Sequence, residues 1–435
     1  MKRVLFASLL SVLALAFAGC SSSKAPVQVT GTAATLQAGD ATNDQVAKFE
    51  LTITSITLTG VSPTANTANL LSEPAEIEFS HLAGSLEPFS IGHIPQGTYS
   101  GATIMVSNPE VVVVNNGVIS KPAVNLASST VNVTFASNIT VTSTPLFLNF
   151  DLDLTKSLDL TKNPVAVTPV FNVTSTMVPA DDNGENDDDG EENDVHGSVK
   201  SIAAPNFTIT TESTDITFAT NSSTRFEDGL TQLSDLKVGE IVEVDAMTQS
   251  DGTKLATKVA LESDQNGEEA EGLISALDSP LTTITIIHQV DSENSANPPT
   301  TVNIGVNSST QFVIRPDKLS MTAPAFDATH IGKGQRIEVD STSNATPLVA
   351  TRIKLREQAL VGTVSNATST GFTLTPSPTS AFATLSGATS VAVTFASGSN
   401  EVTTPTNGST IRVRGLVFVN GTAYSMIAAR SDNDD

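Results

Sequence analysis

The sequence predicts an all-β protein: an N-terminal β-sandwich followed by three small OB-like β-barrel repeats. Three observations predict it. Short runs alternate apolar and polar residues, the pattern of strands with one buried face. Turn residues punctuate these runs, and no long stretch carries a helical period. Beyond residue 195, three related segments follow one another. Val, Ile, Leu and Ala interleaved with Thr, Ser and Asn suit a pleated surface. The chain has 435 residues, 39% of them hydrophobic, enough for about three packed domains at ~150 residues each.

The chain opens on Met1-Lys-Arg, an apolar run from Val4 to Phe17, and Ala18-Gly19-Cys20. A basic start, a short apolar segment and small residues before a cut describe a signal peptide over 1–19. The run falls short of the roughly 20 apolar residues a spanning helix needs. Cys20 is the only cysteine, which excludes an intramolecular disulfide framework and any multi-cysteine metal site. Ala18-Gly19-Cys20 resembles the lipobox of bacterial lipoproteins, with Phe17 where that family usually has Leu. The resemblance implies lipidation of Cys20 and attachment to a membrane through the lipid anchor. The rest of the chain then lies in the cell envelope outside the cytoplasm, on the outer membrane if the organism has one. Ser21-Ser22-Ser23 begins a flexible tether over 20–26.

Residues 27–178 form the expected sandwich. Phe49-Glu-Leu-Thr-Ile-Thr-Ser-Ile-Thr-Leu58 alternates with one phase shift at Ser55. Val131-Asn-Val-Thr-Phe135 and Leu146-Phe-Leu-Asn-Phe-Asp-Leu-Asp-Leu154 also alternate. Gly97 is a turn signal, and Asn116-Gly117 suits a tight hairpin. The acidic run from Asp181 to Asp194 cannot enter a core, so residues 179–194 read as an extended linker across which few contacts form.

The repeats are expected over 195–265, 268–357 and 358–431. They begin Gly197-Ser-Val-Lys-Ser, Gly272-Leu-Ile-Ser-Ala and Gly362-Thr-Val-Ser-Asn. Each later carries a glycine ahead of an alternating pair: Gly239 before Val242 and Val244, Gly334 before Ile337 and Val339, Gly408 before Ile411 and Val413. The glycines are expected in turns with positive φ, and the six apolar residues are expected to face inward. Glu243, Glu338 and Arg412, lying between them, are expected to face water. Each repeat closes on an alanine followed by an apolar residue: Ala256 with Val259, Ala350 with Ile353, Ala423 with Met426.

Ile94-Pro-Gln-Gly-Thr-Tyr99, Leu148-Asn-Phe-Asp-Leu-Asp-Leu-Thr-Lys-Ser157 and Val167-Thr-Pro-Val-Phe171 resemble an uncharacterised domain family of bacterial surface lipoproteins. That resemblance implies an immunoglobulin-like or transthyretin-like sandwich. The repeats, with Ala256-Thr-Lys-Val259 and Ala350-Thr-Arg-Ile353, resemble a second uncharacterised family of exported barrel-like domains. The third repeat lacks the Thr-basic pair after Ala423. Neither family brings a catalytic residue.

Lys and Arg number 22 against 46 Asp and Glu, a net charge of −24. So acidic a chain repels phosphate backbones, and no nucleic-acid partner is expected. The five histidines show no metal-ligand spacing, and there is neither a His-Glu-x-x-His motif nor a nucleophile elbow. Asp151 and Asp153 flank Leu152 and share a strand face, a carboxylate pair open to a cation or to acid–base work. A solvated strand face, or a turn-proximal pair bonding backbone N–H groups, is the plainer reading. Asp187 and Asp189 precede Gly190 as in a calcium loop, but His196 stands where such a loop needs Glu. Weak divalent-cation binding by the acidic run is expected in place of a built site. No cofactor is expected. The sequence therefore reads as a non-enzymatic envelope protein with a binding or structural role in matrix, adhesion or partner display. A binder of a small ligand, glycan or metal, is the first alternative, and a hydrolase the second.

Overall fold

A computed structural model describes residues 31–41, 43–83, 86–177, 191–211, 214–227, 230–249, 251–263, 269–291, 300–314, 324–341, 347–396 and 404–433. The protein is almost entirely β, as expected, and the helices Leu154–Ser157 and Ala381–Ser386 are short. Cys20, Asp187 and Asp189 lie outside the described residues.

Two sheets enclose the first core. In one, Thr32–Ala41 runs parallel to Leu146–Asp153 and antiparallel to Glu87–Ile94, and Phe171–Met177 covers the far edge. In the other, Gly97–Asn115 pairs with Val46–Gly60 and Thr130–Val141, and Ala75–Glu78 lies outermost. Phe49, Leu51 and Ile53 point inward, and so do Ile56 and Leu58. The phase shift at Ser55 is a bulge: the register slips between Ile53 and Ser55, which returns Ile56 to the core face. Opposite lie Leu36, Leu148, Phe150 and Leu152, with Phe79 edge-on to Phe171 at 6.1 Å. Asn116 and Gly117 both take positive φ between Asn115 and Val118, the tight hairpin expected of that pair.

The three repeats share one topology. In the third, Glu357–Thr368 pairs with both Gly371–Pro376 and Thr410–Asn420. Val391–Phe395 then runs parallel to Ala423–Asn433 and closes the barrel. This is the OB arrangement of five strands. The first two repeats follow it, closing where Phe218 faces Lys254 and where Ile304 faces Leu348. Each adds a short sixth strand, Arg225–Glu227 or Gln311–Val313. The opening glycines have a packing reason. A Cβ would lie 2.6 Å from the Thr210 carbonyl oxygen at Gly197, 1.8 Å from that of Ile287 at Gly272, and 2.4 Å from that of Thr375 at Gly362. The later glycines, Gly239, Gly334 and Gly408, have φ of 93°, 83° and 88°, as their turns require.

Two expectations need correction. Val242, Val244, Ile337, Val339, Ile411 and Val413 do face the cores, but Glu243 and Glu338 are 0% exposed and Arg412 is half-buried. The second face of each strand is covered by a neighbouring module. The acidic run does not keep the modules apart either. Its last residues already belong to the strand Glu191–Ala203. Contacts between modules are many: Lys254 Nζ donates to Thr35 Oγ1 at 3.0 Å, Gln289 Nε2 to the Ala47 carbonyl at 2.6 Å, and Gln335 Nε2 to that of Val417 at 2.8 Å. Ala47, Val112 and Val114 of the sandwich share an apolar cluster with Ile287, Ala381 and Leu385 of the second and third repeats.

Candidate functional site

The two carboxylates lie on one strand and still act on each other, but each has further partners of its own. Asp153 caps the helix Leu154–Ser157: its Oδ1 accepts from the Lys156 backbone N–H at 2.9 Å and its Oδ2 meets Lys156 Nζ at 2.7 Å. Asp151 belongs instead to a group with Asp40, on the adjacent parallel strand, and Arg412 of the third repeat. Burial pushes the Asp40 carboxyl well above the usual range, and Asp151 and Glu78 add to this while Arg412 opposes it. Burial also raises Asp151, with Arg412 opposing and Asp153 adding to the rise. Among the described residues no set of three His, Cys, Asp or Glu side chains is arranged to hold a metal ion.

A larger charged cluster lies between the first two repeats, on the strand faces expected to meet water. Lys258 Nζ stands 2.5 Å from Asp245 Oδ2 and 3.1 Å from Glu243 Oε1. In the second repeat Lys354 Nζ stands 2.5 Å from Glu338 Oε1 and 3.3 Å from Asp340 Oδ1, and Arg352 Nε is 2.7 Å from Asp340 Oδ2. Arg336 Nη2 meets Glu271 Oε1 at 2.7 Å. Arg356, the single residue between Leu348–Leu355 and Glu357–Thr368, reaches Glu243, Glu271 and Glu338 at 3.3 to 3.5 Å. Five carboxylates thus meet five cations, with side-chain exposures from 0% to 17%, so the buried charge balances. Sequence reasoning missed this cluster. Its signal was available: Glu-Val-Asp stands opposite Lys258 in one repeat and opposite Arg352 and Lys354 in the next.

The third repeat meets the sandwich through its own charges. Arg414 Nη1 donates to the carbonyls of His81 at 3.1 Å and Ala83 at 2.8 Å. The His81 ring lies between Glu78 Oε2 at 2.9 Å and Glu87 Oε2 at 3.1 Å. Burial opposes charge on this ring, but the two carboxylates outweigh it and push the imidazole up to about 9.

Beside His81 a cleft opens where the sandwich, the second repeat and the third repeat converge. Its water-accessible interior is small, about 80 Å³. Its apolar wall includes Leu273, Leu360, Val361 and Phe382, and its polar wall includes Gln289 and Arg336.

Residues 196–260 and 271–354 match a domain of unknown function, DUF5666. The match covers the first two repeats. No curated protein matches the chain. Among solved structures, the chain is similar to Drosophila Unr CSD456 at 14% identity, over 55% of this chain and 96% of that one, with a TM-score of 0.13. It is also similar to a multidomain protein with nucleic acid binding domains from Streptococcus pneumoniae, at 11% identity over 54% and 72% of the respective chains, with a TM-score of 0.12. Scores this low carry no argument about fold or ligand. The expectation that excluded nucleic acid is corrected: one similar structure has nucleic acid binding domains, and the physical ground for the exclusion fails because a whole-chain charge does not describe the surface of one module.

Proposed function

We propose that this chain is a cell-envelope lipoprotein, anchored through Cys20, whose modules form a non-enzymatic scaffold for binding or display. One observation supports this reading above the others. The charged side chains at the strand positions expected to face water are used to pack one repeat against the next. Side chains used in this way hold neighbouring modules together and are themselves withdrawn from any substrate. The signal-like leader and its lone cysteine supply the address.

The test has two arms. Cells expressing the protein are fed radiolabelled palmitate and fractionated. The wild type is expected in the membrane pellet with label, and Cys20→Ser in the soluble fraction without it. Unchanged labelling of Cys20→Ser would remove the anchor. The soluble chain is also incubated with esters, glycans, peptides and phosphoesters, with and without divalent metals. Turnover that survives repurification and is lost in Asp151→Asn would overturn the non-enzymatic reading.

A further inference from the structure

Lys258 is a primary amine held against two carboxyl groups and away from water. It stands directly across the strand pair from Asp245, and its Nζ lies 2.5 Å from Asp245 Oδ2. Glu243, two residues earlier on the same face as Asp245, brings Oε1 to 3.1 Å from the same nitrogen. The side chains of Lys258, Glu243 and Asp245 are 1%, 0% and 12% exposed. An amine, a carboxyl carbon and a second carboxyl group that can move protons are the parts of an amide-forming reaction. Free in water, such groups meet only briefly. Held in contact inside a fold, they gain an effective concentration of about 10⁵–10⁸ M, and the burial that excludes water also opposes hydrolysis.

The second repeat supplies the contrast. In the same strand pair, Asp340 stands opposite Arg352 where Asp245 stands opposite Lys258. A guanidinium is not deprotonated in a protein, so Arg352 binds Asp340 as an ion at 2.7 Å and goes no further. Lys354 does carry an amine, but both acids beside it also bind a guanidinium: Asp340 that of Arg352, and Glu338 that of Arg356 at 3.3 Å. A guanidinium neighbour favours the charged form of a carboxyl group, which resists attack. Only in the first repeat does an amine stand directly opposite the acid.

We propose that Lys258 and Asp245 close an amide crosslink between the strands Ile241–Thr248 and Lys254–Ser263, with Glu243 as the proton relay. Glu243 takes a proton from the ammonium and passes it to an Asp245 oxygen. The freed lone pair of Nζ attacks Cγ. A second proton then moves by way of Glu243 from the nitrogen to the departing hydroxyl. The C–O bond breaks, the new C–N bond remains, and one water leaves. Two protons of the ammonium and one carboxylate oxygen make up that water, so the step balances without a co-reactant. One positive and one negative charge vanish together, which keeps the buried cluster balanced, and Glu243 retains Arg356 at 3.4 Å. The step happens once per chain without turnover, and it is independent of the anchor. The chain has a single cysteine and so cannot close an internal disulfide; this amide is a covalent brace built from other side chains.

The mature chain carrying Cys20→Ser is purified in its folded state and weighed by intact-mass spectrometry. Its mass is expected one water below that calculated from its residues. Trypsin should leave the chain uncut after Lys258 and release a branched peptide that joins this residue to Asp245. It should cut normally after Lys354, the internal control. Lys258→Arg keeps the charge without the amine, and Glu243→Gln cannot relay a proton, so both should show their full calculated mass. A folded wild type at full mass, or a water lost at any other pair, would overturn the crosslink whether or not the variants fold. A crosslink that persists in Glu243→Gln would overturn the relay.

Discussion

Repeats one and two differ from repeat three in sign at the same strand positions. Where the first two carry Glu243 with Asp245 and Glu338 with Asp340, the third carries Arg412 and Arg414. The acidic pairs meet lysines and arginines of the neighbouring repeat and of their own hairpins. The basic pair turns to the sandwich, where Arg414 grips the carbonyls of His81 and Ala83 and Arg412 approaches Asp40 and Asp151. A variable charged position between two core residues looks like solvated surface. Here the variation records which neighbour each repeat packs against.

The largest test of that contrast sits on one strand. Val339→Asp places an acid in the apolar core, and Glu338→Ala strips a buried acid from Lys354 and Arg356. Both are expected to lower unfolding free energy by about 3–5 kcal/mol in urea titrations. A surface residue would cost about 0.5 kcal/mol or less, so a small effect of Glu338→Ala would return that face to solvent. Next comes the basic face. Arg414→Ala removes two hydrogen bonds to carbonyls and an approach of 3.4 Å to Glu357, at a cost of about 1–3 kcal/mol. Amide exchange should accelerate around Ser80–Leu82 and leave the interface of the first two repeats unchanged. Faster exchange at Glu243 and Glu338 would mean the two faces are not separate.

The smallest expected effect is a pH dependence local to the third repeat's contact. His81 has an ordinary value of 6.5 and is pushed up to about 9 in the folded protein. Its pairs with Glu78 and Glu87 contribute fully below pH 6.5, and that contribution is lost as pH rises through about 9. The urea midpoint of the wild type should therefore fall over that window, and His81→Gln should flatten the slope. A steeper slope in His81→Gln would reverse the sign of the coupling.

Much of the fold was legible because one-residue events leave marks in the pattern. The phase slip at Ser55 became a bulge, Asn116-Gly117 became a two-residue hairpin, and Gly239, Gly334 and Gly408 took positive φ. These depend on backbone geometry within a few residues. The packing of modules was not legible. Alternation states that Val244 and Glu243 face opposite ways, and it is silent on what covers the second face. The acidic run suggested separation because composition reports local solvation. The contacts from Gln289 to Ala47 and from Lys254 to Thr35 join residues more than 200 positions apart. Asp151 was noticed for Asp153, which does act on it, whereas Asp40 and Arg412 come from another strand and another module and left no mark in the pattern.

The reversal of sign in the third repeat also bears on how such a chain can grow. Rows of repeated domains usually lengthen by duplication, each new copy offering the same sticky side to the next. Here Arg412 and Arg414 turn that side back onto the first domain of the chain. For the third repeat, contact with the sandwich thus stands where the acidic repeats make contact with one another, so a single change of sign redirects an otherwise common strand face.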